Sequence, residues 1–525
     1  MKYFNTTGPC DEDLHYMLPA AQRITDADRH IARGQYFVVH APRQTGKTTS
    51  LAALARELTA EGRYVALHFS CEVAVPFGDD FTGAVREILA RIRAAAEAAD
   101  LPSELLPPTP WPESSPGSAL VTGLTAWTRQ CPRPLVLFFD EIDAIRGDSL
   151  VSVLRQLRDG YTTNRKGFVH AVVLCGMRDV RDYKSASGGD PTRLSSSSPF
   201  NIKVDSIRIG DFTRAEVATL YAQHTAATGQ EFSCAALDLA YYYTQGQPWL
   251  VNALAAEVID KMRIQTTITD DHIDEAKERL ILARATHLDS LVAKLTEPRV
   301  QRVIEPLIAG TMTPLDLTFN DDVTYVRDLG LIANDKTVRI ANPIYNEVIV
   351  RVLGAGVENN IHVEPASFRL PDGRLDFPRL LTEFAAFWKK DGEILTAKQN
   401  YHETAPQLVL MAYLHRIVNG GGHIDREYGI GHGRIDLLVR QPYTGTDGHR
   451  AEQREAIELK VWRDKQADPL SEGLTQLDGY LDRLGLPTGV LAIFDRRTDA
   501  APITDRTTFS TATTPAGREV TLLRA

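Results

Sequence analysis

The feature that most constrains the fold is a strand-like apolar run, YFVVH at Tyr36 to His40. It empties into APRQTGKT at Ala41 to Thr48 and then into a stretch of helical composition, Thr48 to Thr59. A chain that turns through Gly46 between a buried strand and a helix sets the helix N-terminus at the carboxyl end of that strand. Further strand-like runs lie at Tyr64 to Phe69, Leu135 to Asp140 (LVLFFD) and Val169 to Gly176. An Ala-rich helix, Phe81 to Ala99, and a Pro/Ser-rich loop, Pro102 to Ser118, separate them. Strands alternating with helices predict an α/β fold with a parallel sheet covered on both faces.

At 525 residues the chain exceeds one hydrophobic core, because domains usually run to about 100 to 200 residues. The pattern is mostly helical over 211–295. Short helices follow to Leu353, with LIANDKTVRIANP forming two strand-like halves around Asn334 and Asp335. This segment is similar to a winged-helix unit. A stretch with Gly354, Gly356, Pro365, Pro371 and Gly373 reads as a linker, and from about Phe377 helix, strand, strand, helix, strand predicts a separate α/β unit. The expected division is therefore a core over 1–210, a helical lid over 211–295, a winged-helix-like unit over 296–355, a linker over 356–376 and a last domain over 377–525.

Hydrophobic residues at 43% and charged residues at 24% match soluble globular chains. No run of about 18 apolar residues is present, so no membrane partner is expected. MKYFNTTGPCDEDLHYMLP lacks the apolar run of a signal peptide, and the five cysteines show no CxxC spacing. A cytoplasmic location with reduced thiols is the expectation. The net charge of -10 excludes a surface that is basic all over, so any nucleic-acid contact must be local.

The loop at Arg43, Gln44, Thr45, Gly46, Lys47, Thr48 and Thr49 suits a phosphate chain. Main-chain N–H groups and the helix N-terminus cradle the oxygens, Lys47 reaches the terminal phosphates, and the Thr48 hydroxyl is a ligand for Mg²⁺. LVLFFDEID supplies the complement. Asp140 at its strand end can hold Mg²⁺ through water, and Glu141 can orient an attacking water. A helix-capping role for Asp140 and Glu141 is the competing reading. The paired motifs resemble the Walker A and Walker B elements of the AAA-like P-loop ATPases, particularly the branch near the STAND group, with Ala41 replacing the usual first glycine. That resemblance, over roughly Phe4 to Leu353, implies ATP with Mg²⁺, a γ-phosphate-sensing arginine at Arg178 and a lid contact through GQPWLVNAL, Gly246 to Leu254. A surface ion pair at Arg178 and a plain helix start at Gly246 and Pro248 remain open. FNTTGPC and His15-Tyr16 also resemble the segment that precedes such ATPases.

A second constellation lies near the end. IDREYGIGHGRIDLLV, Ile424 to Val439, reads as a hairpin, and AIELKVW follows at Ala456 to Trp462. Residues two apart share a strand face, so Glu458 and Lys460 point together while Leu459 points away, and Asp436 on the neighbouring strand can meet them. Two carboxylates and the Leu459 carbonyl form a hard oxygen set for Mg²⁺ or Mn²⁺, and Lys460 can position water or steady developing charge. An exposed strand of alternating charge is the bland alternative. With Gln476 and Tyr480 one turn apart on the following helix, the group resembles the PD-(D/E)XK nucleases, which implies catalytic roles for Asp436, Glu458, Lys460 and Gln476 and makes Glu403 a candidate acid from the first helix.

His30, His40, His68 and His170 read as satisfied structural histidines, Phe384 and Trp388 as a helical core stripe, and Arg434, Arg463, Arg496 and Arg497 as solvated surface, with the lining of a DNA path as the alternative. The two resemblances together imply an ATP-regulated, metal-dependent nuclease. Its expected substrate is DNA, with RNA open, its expected state a homo-oligomer, and its expected setting bacterial defence or genome maintenance. The alternatives are a nucleotide-switch signalling protein with an inactive nuclease-fold module, and an ATP-driven motor.

Overall fold

The computed structural model describes residues 2–177, 202–283, 286–308, 320–335, 337–358, 368–397, 405–418, 423–430, 433–445 and 449–525. The chain divides into two compact units, Met1–His287 with Thr324–Asn334, and Leu288–Val323 with Asp335–Ala525.

The first unit is built on a five-stranded sheet of β1 (Tyr36–His40), β2 (Val65–Ser70), β3 (Leu135–Asp140), β4 (Ala171–Gly176) and β5 (Lys203–Arg208) in the order β2-β3-β4-β1-β5. Every pairing is parallel. All residues of β3 and β4 are buried, as central strands of a covered parallel sheet require. The two-residue alternation divides the core. Tyr36, Val38, Leu67, Phe69, Leu137 and Phe139 pack in one layer with α3 (Phe81–Ala98), α4 (Ala119–Gln130) and α5 (Gly147–Thr163). Phe37, Val39, Ala66, Val136 and Phe138 pack in the other with α1 (Ala27–Ala32) and α2 (Lys47–Ala60).

Four helices then follow, Arg214–Thr228, Cys234–Thr244, Pro248–Ala256 and Asp270–Leu282. The first begins with a capping box, in which the Thr213 hydroxyl accepts from the N–H of Glu216 and the Glu216 carboxylate accepts from that of Thr213. The strand-like halves expected around Asn334 and Asp335 are reduced to single bridge residues, Ile332 and Ile340. Asn and Asp bond their own main chain in turns, and the Asp335 carboxylate does so by accepting from the N–H of Thr337.

The second unit contains a six-stranded mixed sheet, β6 (His423–Ile430), β7 (Gly433–Thr444), β8 (Arg450–Trp462), β9 (Val490–Asp495), β10 (Thr508–Thr513) and β11 (Glu519–Arg524), in the order β10-β11-β9-β8-β7-β6. Strands β6, β7 and β8 form an antiparallel meander, and β9 joins β8 in parallel after the crossover helix Leu470–Leu484. Leu477 and Leu481 of that helix cover Leu438, Ala456, Leu491 and Ile493. In the same unit lie the helices Phe377–Ala397 and Ala405–Val418, with the Trp388 ring 5.1 Å from Phe494 and that of Phe384 5.3 Å from Tyr413. No helix among the described residues is long and apolar enough to cross a membrane.

Phe138 is fully buried in the middle of β3, so its loss leaves a cavity that the flanking strands cannot close. Phe138→Ala is expected to destabilise the first unit by about 3–5 kcal/mol, measured as a lowered first transition in thermal unfolding of the full chain.

Candidate functional site

Strand β4 lies between β1 and β3, so the loop after β1 and the acid ending β3 face each other across the end of β4. The loop turns through Gln44 and Gly46, both at positive φ (57° and 83°). A Cβ on Gly46 would stand 2.9 Å from an Arg23 nitrogen, and that guanidinium bridges the carbonyls of Thr45 and Gly210, both at 2.6 Å. Lys47 opens α2 and folds over the loop, donating to the carbonyls of Ala41 (2.9 Å) and Pro42 (2.8 Å). Burial holds its ammonium below its ordinary pKa, with Cys175 and Asp140 acting the other way.

Asp140 is only 1% exposed, and both of its oxygens are bonded. Oδ2 accepts from the Thr48 hydroxyl (2.8 Å) and is paired with Nε2 of His68 (3.0 Å), while Oδ1 accepts from the N–H of Glu141 (2.9 Å). Burial pushes this carboxyl up, but His68 and Thr48 outweigh it and hold the group below its ordinary value. Glu141 sits at φ 54° and accepts through Oε2 from the Ser70 hydroxyl. Burial first, then Glu72, Asp140 and Asp143, raise its pKa.

These groups enclose a cavity of about 880 Å³ lined in part by Arg43, Gln44, Lys47, Thr48, Thr49 and Glu141. That lies within the range of roughly 300–1,000 Å³ typical of small-molecule sites. Thr45 does not line it; its hydroxyl turns back to the Pro42 carbonyl. The donors fit a nucleotide with Mg²⁺. A left-handed glycine, a lysine and a helix N-terminus converge on one side, and a hydroxyl and a carboxylate that already touch lie on the other.

Residues 21–165 match the family described as AAA ATPase domain. The match supports an AAA-like P-loop ATPase over this segment, which holds the phosphate loop and Asp140. Among solved structures the chain is similar to the Walker-type ATPase of Pyrococcus abyssi, at 12% identity and TM-score 0.47, over 66% of this chain and 99% of that one. It is also similar to the RuvB Holliday junction branch migration motor of Thermotoga maritima, at 15% identity and TM-score 0.35, over 62% and 92% of the two chains. Cdc6p from Pyrobaculum aerophilum aligns at 14% identity and TM-score 0.34, over 63% and 95%. No curated protein matches the chain.

Beside this cavity, Gly246 has φ 79°, and a Cβ there would stand 1.8 Å from the Phe212 carbonyl oxygen. Only glycine permits that approach, which brings Gln247 to donate to the Gln44 carbonyl at 3.3 Å. The N-terminal segment lies on the same region, with the Thr6 carbonyl accepting from the Trp249 indole (2.8 Å) and the Cys10 N–H donating to Thr49 (3.0 Å). Arg178 and Glu403, named from the sequence, lie outside the described residues.

In the second unit, Asp436 precedes and Glu458 follows the paired Leu437 and Ile457, which sets the two acids opposite each other on adjacent strands. An Asp436 oxygen accepts from the Leu459 N–H at 2.7 Å. Lys460 Nζ lies 3.0 Å from Glu458 Oε1 and donates to the Gln476 amide oxygen. Glu458 is 2% exposed, and its Oε2 is buried without a hydrogen-bond partner among the described residues. Burial first, and then Asp436, push its pKa up to about 8, with Lys460 opposing. Among the described residues no three His, Cys, Asp or Glu side chains group to hold a metal. A cation here would need main-chain or water oxygens beside the two carboxylates, and the orphaned Oε2 fits that need.

Sequence reasoning did not single out Ser70 or Glu472 and read His68 only as a satisfied structural histidine, whose ring the structure pairs with Asp140. Only the adjacency of β2 and β3, with Ser70 beside Asp140, brings these side chains in.

Lys47→Ala is expected to remove ATP binding. Ser70→Ala frees Glu141 and is expected to raise ATP turnover about three- to tenfold, the equivalent of one hydrogen bond of about 1 kcal/mol. Steady-state phosphate release checks this, and a slower Ser70→Ala would mean that the hydroxyl orients Glu141 instead of restraining it.

Proposed function

We propose that the protein is an ATP-regulated, metal-dependent nuclease of the PD-(D/E)XK type that cleaves DNA phosphodiester bonds, in bacterial defence or genome maintenance. The observation that carries the reading is the convergence of Asp436, Glu458, Lys460 and Gln476 with one buried, unpartnered carboxylate oxygen. The meander β6-β7-β8, the crossover helix and parallel β9 support it by supplying two adjacent strands with the acids opposed.

In this reading Asp436 and Glu458 hold a divalent cation together with the Leu459 carbonyl. The cation supplies Lewis acidity and a more acidic bound water. Lys460 holds a charge beside the reacting phosphate, and Gln476 fixes the direction of its ammonium. In the first unit, Lys47, Thr48 and Asp140 bind nucleotide with Mg²⁺, Arg43, Gln44, Gly46 and Thr49 complete the phosphate loop, and Glu141 orients water for hydrolysis. The regulatory link between nucleotide and cleavage, an oligomeric active form, and a γ-phosphate role for Arg178 belong to the same proposal.

Linear, circular and single-stranded DNA, with RNA as a fourth substrate, are incubated with Mg²⁺ or Mn²⁺ with and without ATP. Wild type is expected to cut DNA, Lys460→Ala to lose at least about 100-fold, and Lys47→Ala to lose the response to ATP. A wild type that hydrolyses ATP yet cuts no substrate under these conditions would replace this reading with a nucleotide switch carrying an inactive nuclease-fold module.

The raised pKa of Glu458 adds a pH dependence. Folded protein keeps on this group a proton that the unfolded chain releases near the ordinary value of 4.5, so its contribution to stability falls as pH climbs from there towards 8. A cation must displace that proton. Apparent Mn²⁺ affinity is therefore expected to rise up to about tenfold per pH unit below 8 and to level off above it, measured by calorimetric titration. A flat profile from pH 6 to 9 sinks the assignment of Glu458 as a ligand.

A further inference from the structure

Lys460 has more acceptors than a phosphate-contacting lysine needs. Besides Glu458 Oε1 at 3.0 Å and the Gln476 amide oxygen, its Nζ lies 3.7 Å from Glu472 Oε1. The same Glu472 oxygen accepts from the Gln476 amide nitrogen at 3.3 Å. Glu472 and Gln476 stand one turn apart at the start of the crossover helix. Gly473 lets that helix approach closely: a Cβ there would stand 2.7 Å from Leu491 and 3.4 Å from Cγ of Lys460. The Glu472 side chain is 67% exposed and the Glu458 side chain 3%, so the lysine is shared between a solvent-side and a buried carboxylate.

An ammonium 3.0 Å from Glu458 Oε1 repels a cation held by the same carboxylate through Oε2. Like charges this close repel strongly near a protein surface, and a divalent ion doubles the effect of a univalent one. Lys460 therefore has to withdraw from Glu458 for the cation to bind. Glu472 and Gln476 are the acceptors that remain to it.

We propose that Glu472 is a positioning residue that draws Lys460 off Glu458, opening the cation site while keeping the lysine charged beside it. The inference rests on the metal-site reading above. Without the Glu472 charge, the ion pair with Glu458 is the one left to Lys460 among the described residues, with Asp436 acting at longer range, and the lysine competes harder with the cation. Because Glu472 acts only through Lys460, its effect vanishes when the lysine charge is absent.

The test is Mn²⁺ binding to the full chain, by calorimetry and by electron paramagnetic resonance of free Mn²⁺. The first unit's nucleotide site is silenced in every variant by Asp140→Asn. In that parent background Glu472→Gln is expected to weaken Mn²⁺ binding about three- to fivefold, the range of an exposed ion pair. In Lys460→Met the affinity is expected to rise, and Glu472→Gln added to Lys460→Met is expected to change nothing further. An equal loss in both backgrounds overturns the proposal, because Glu472 would then be a direct ligand or a support for the helix. No loss in either background overturns it as well. If the parent binds no Mn²⁺ while Asp436→Asn and Glu458→Gln leave its behaviour unaltered, the metal-site reading fails and this inference with it. Parent binding that those two substitutions abolish and Glu472→Gln leaves unchanged sinks this inference alone.

Discussion

A carboxylate buried at the end of a strand with no exposed residue must be fed by hydrogen bonds, and Asp140 is that group in the first unit. Thr48 reaches it from α2, His68 from β2 and the N–H of Glu141 from the turn that follows. The Thr48 bond joins positions 92 residues apart across the intervening β4. It fixes where α2 begins relative to β3, and so where the phosphate loop lies over the sheet. The arrangement depends on the parallel order, since only an all-parallel sheet brings the ends of β1, β2 and β3 to one edge.

In the second unit the same constraint is met in another way. Glu458 is as buried as Asp140, but it has a lysine on its own strand face in place of donors from several elements. One oxygen pairs with that lysine and the other is left without a partner. The opposing Asp436 adds like charge, so burial and repulsion push Glu458 up while Asp140 is held down. One site is satisfied by the chain alone. Among the described residues the other has a deficit, and in the proposed function a cation answers it.

The sequence made the first site legible because its parts are local and loud. Apolar runs marked β1 to β4, and the Gly-Lys-Thr turn and the Asp-Glu strand end marked Lys47, Thr48 and Asp140. Strand β5 escaped because KVDSIR is half exposed and carries no apolar run. The β10-β11 hairpin escaped for a like reason, since almost every residue of TFSTAT is exposed. His68 and Ser70 became functional candidates only through strand order, which no local pattern encodes. In the second unit the two-residue period put Glu458 and Lys460 on one face, but Glu472 looks in sequence like any exposed acid in a first helical turn. Its importance comes from Gly473, which lets that turn sit against Lys460.

In the proposed function the two units also present two ways for an acidic chain to meet phosphate. With a net charge of -10, neither can rely on a general positive field. The first concentrates positive character by geometry, with the dipole of α2, the loop N–H groups and Lys47 aimed into one cavity. The second gathers three carboxylates, Asp436, Glu458 and Glu472, around one lysine, a cluster that repels phosphate until a cation reverses its sign. A P-loop helix binds phosphate with the charge it is born with. In the proposed nuclease a site of the second kind would be inert without its ion, and the competition of lysine and metal for Glu458 becomes the variable on which its phosphodiester chemistry turns.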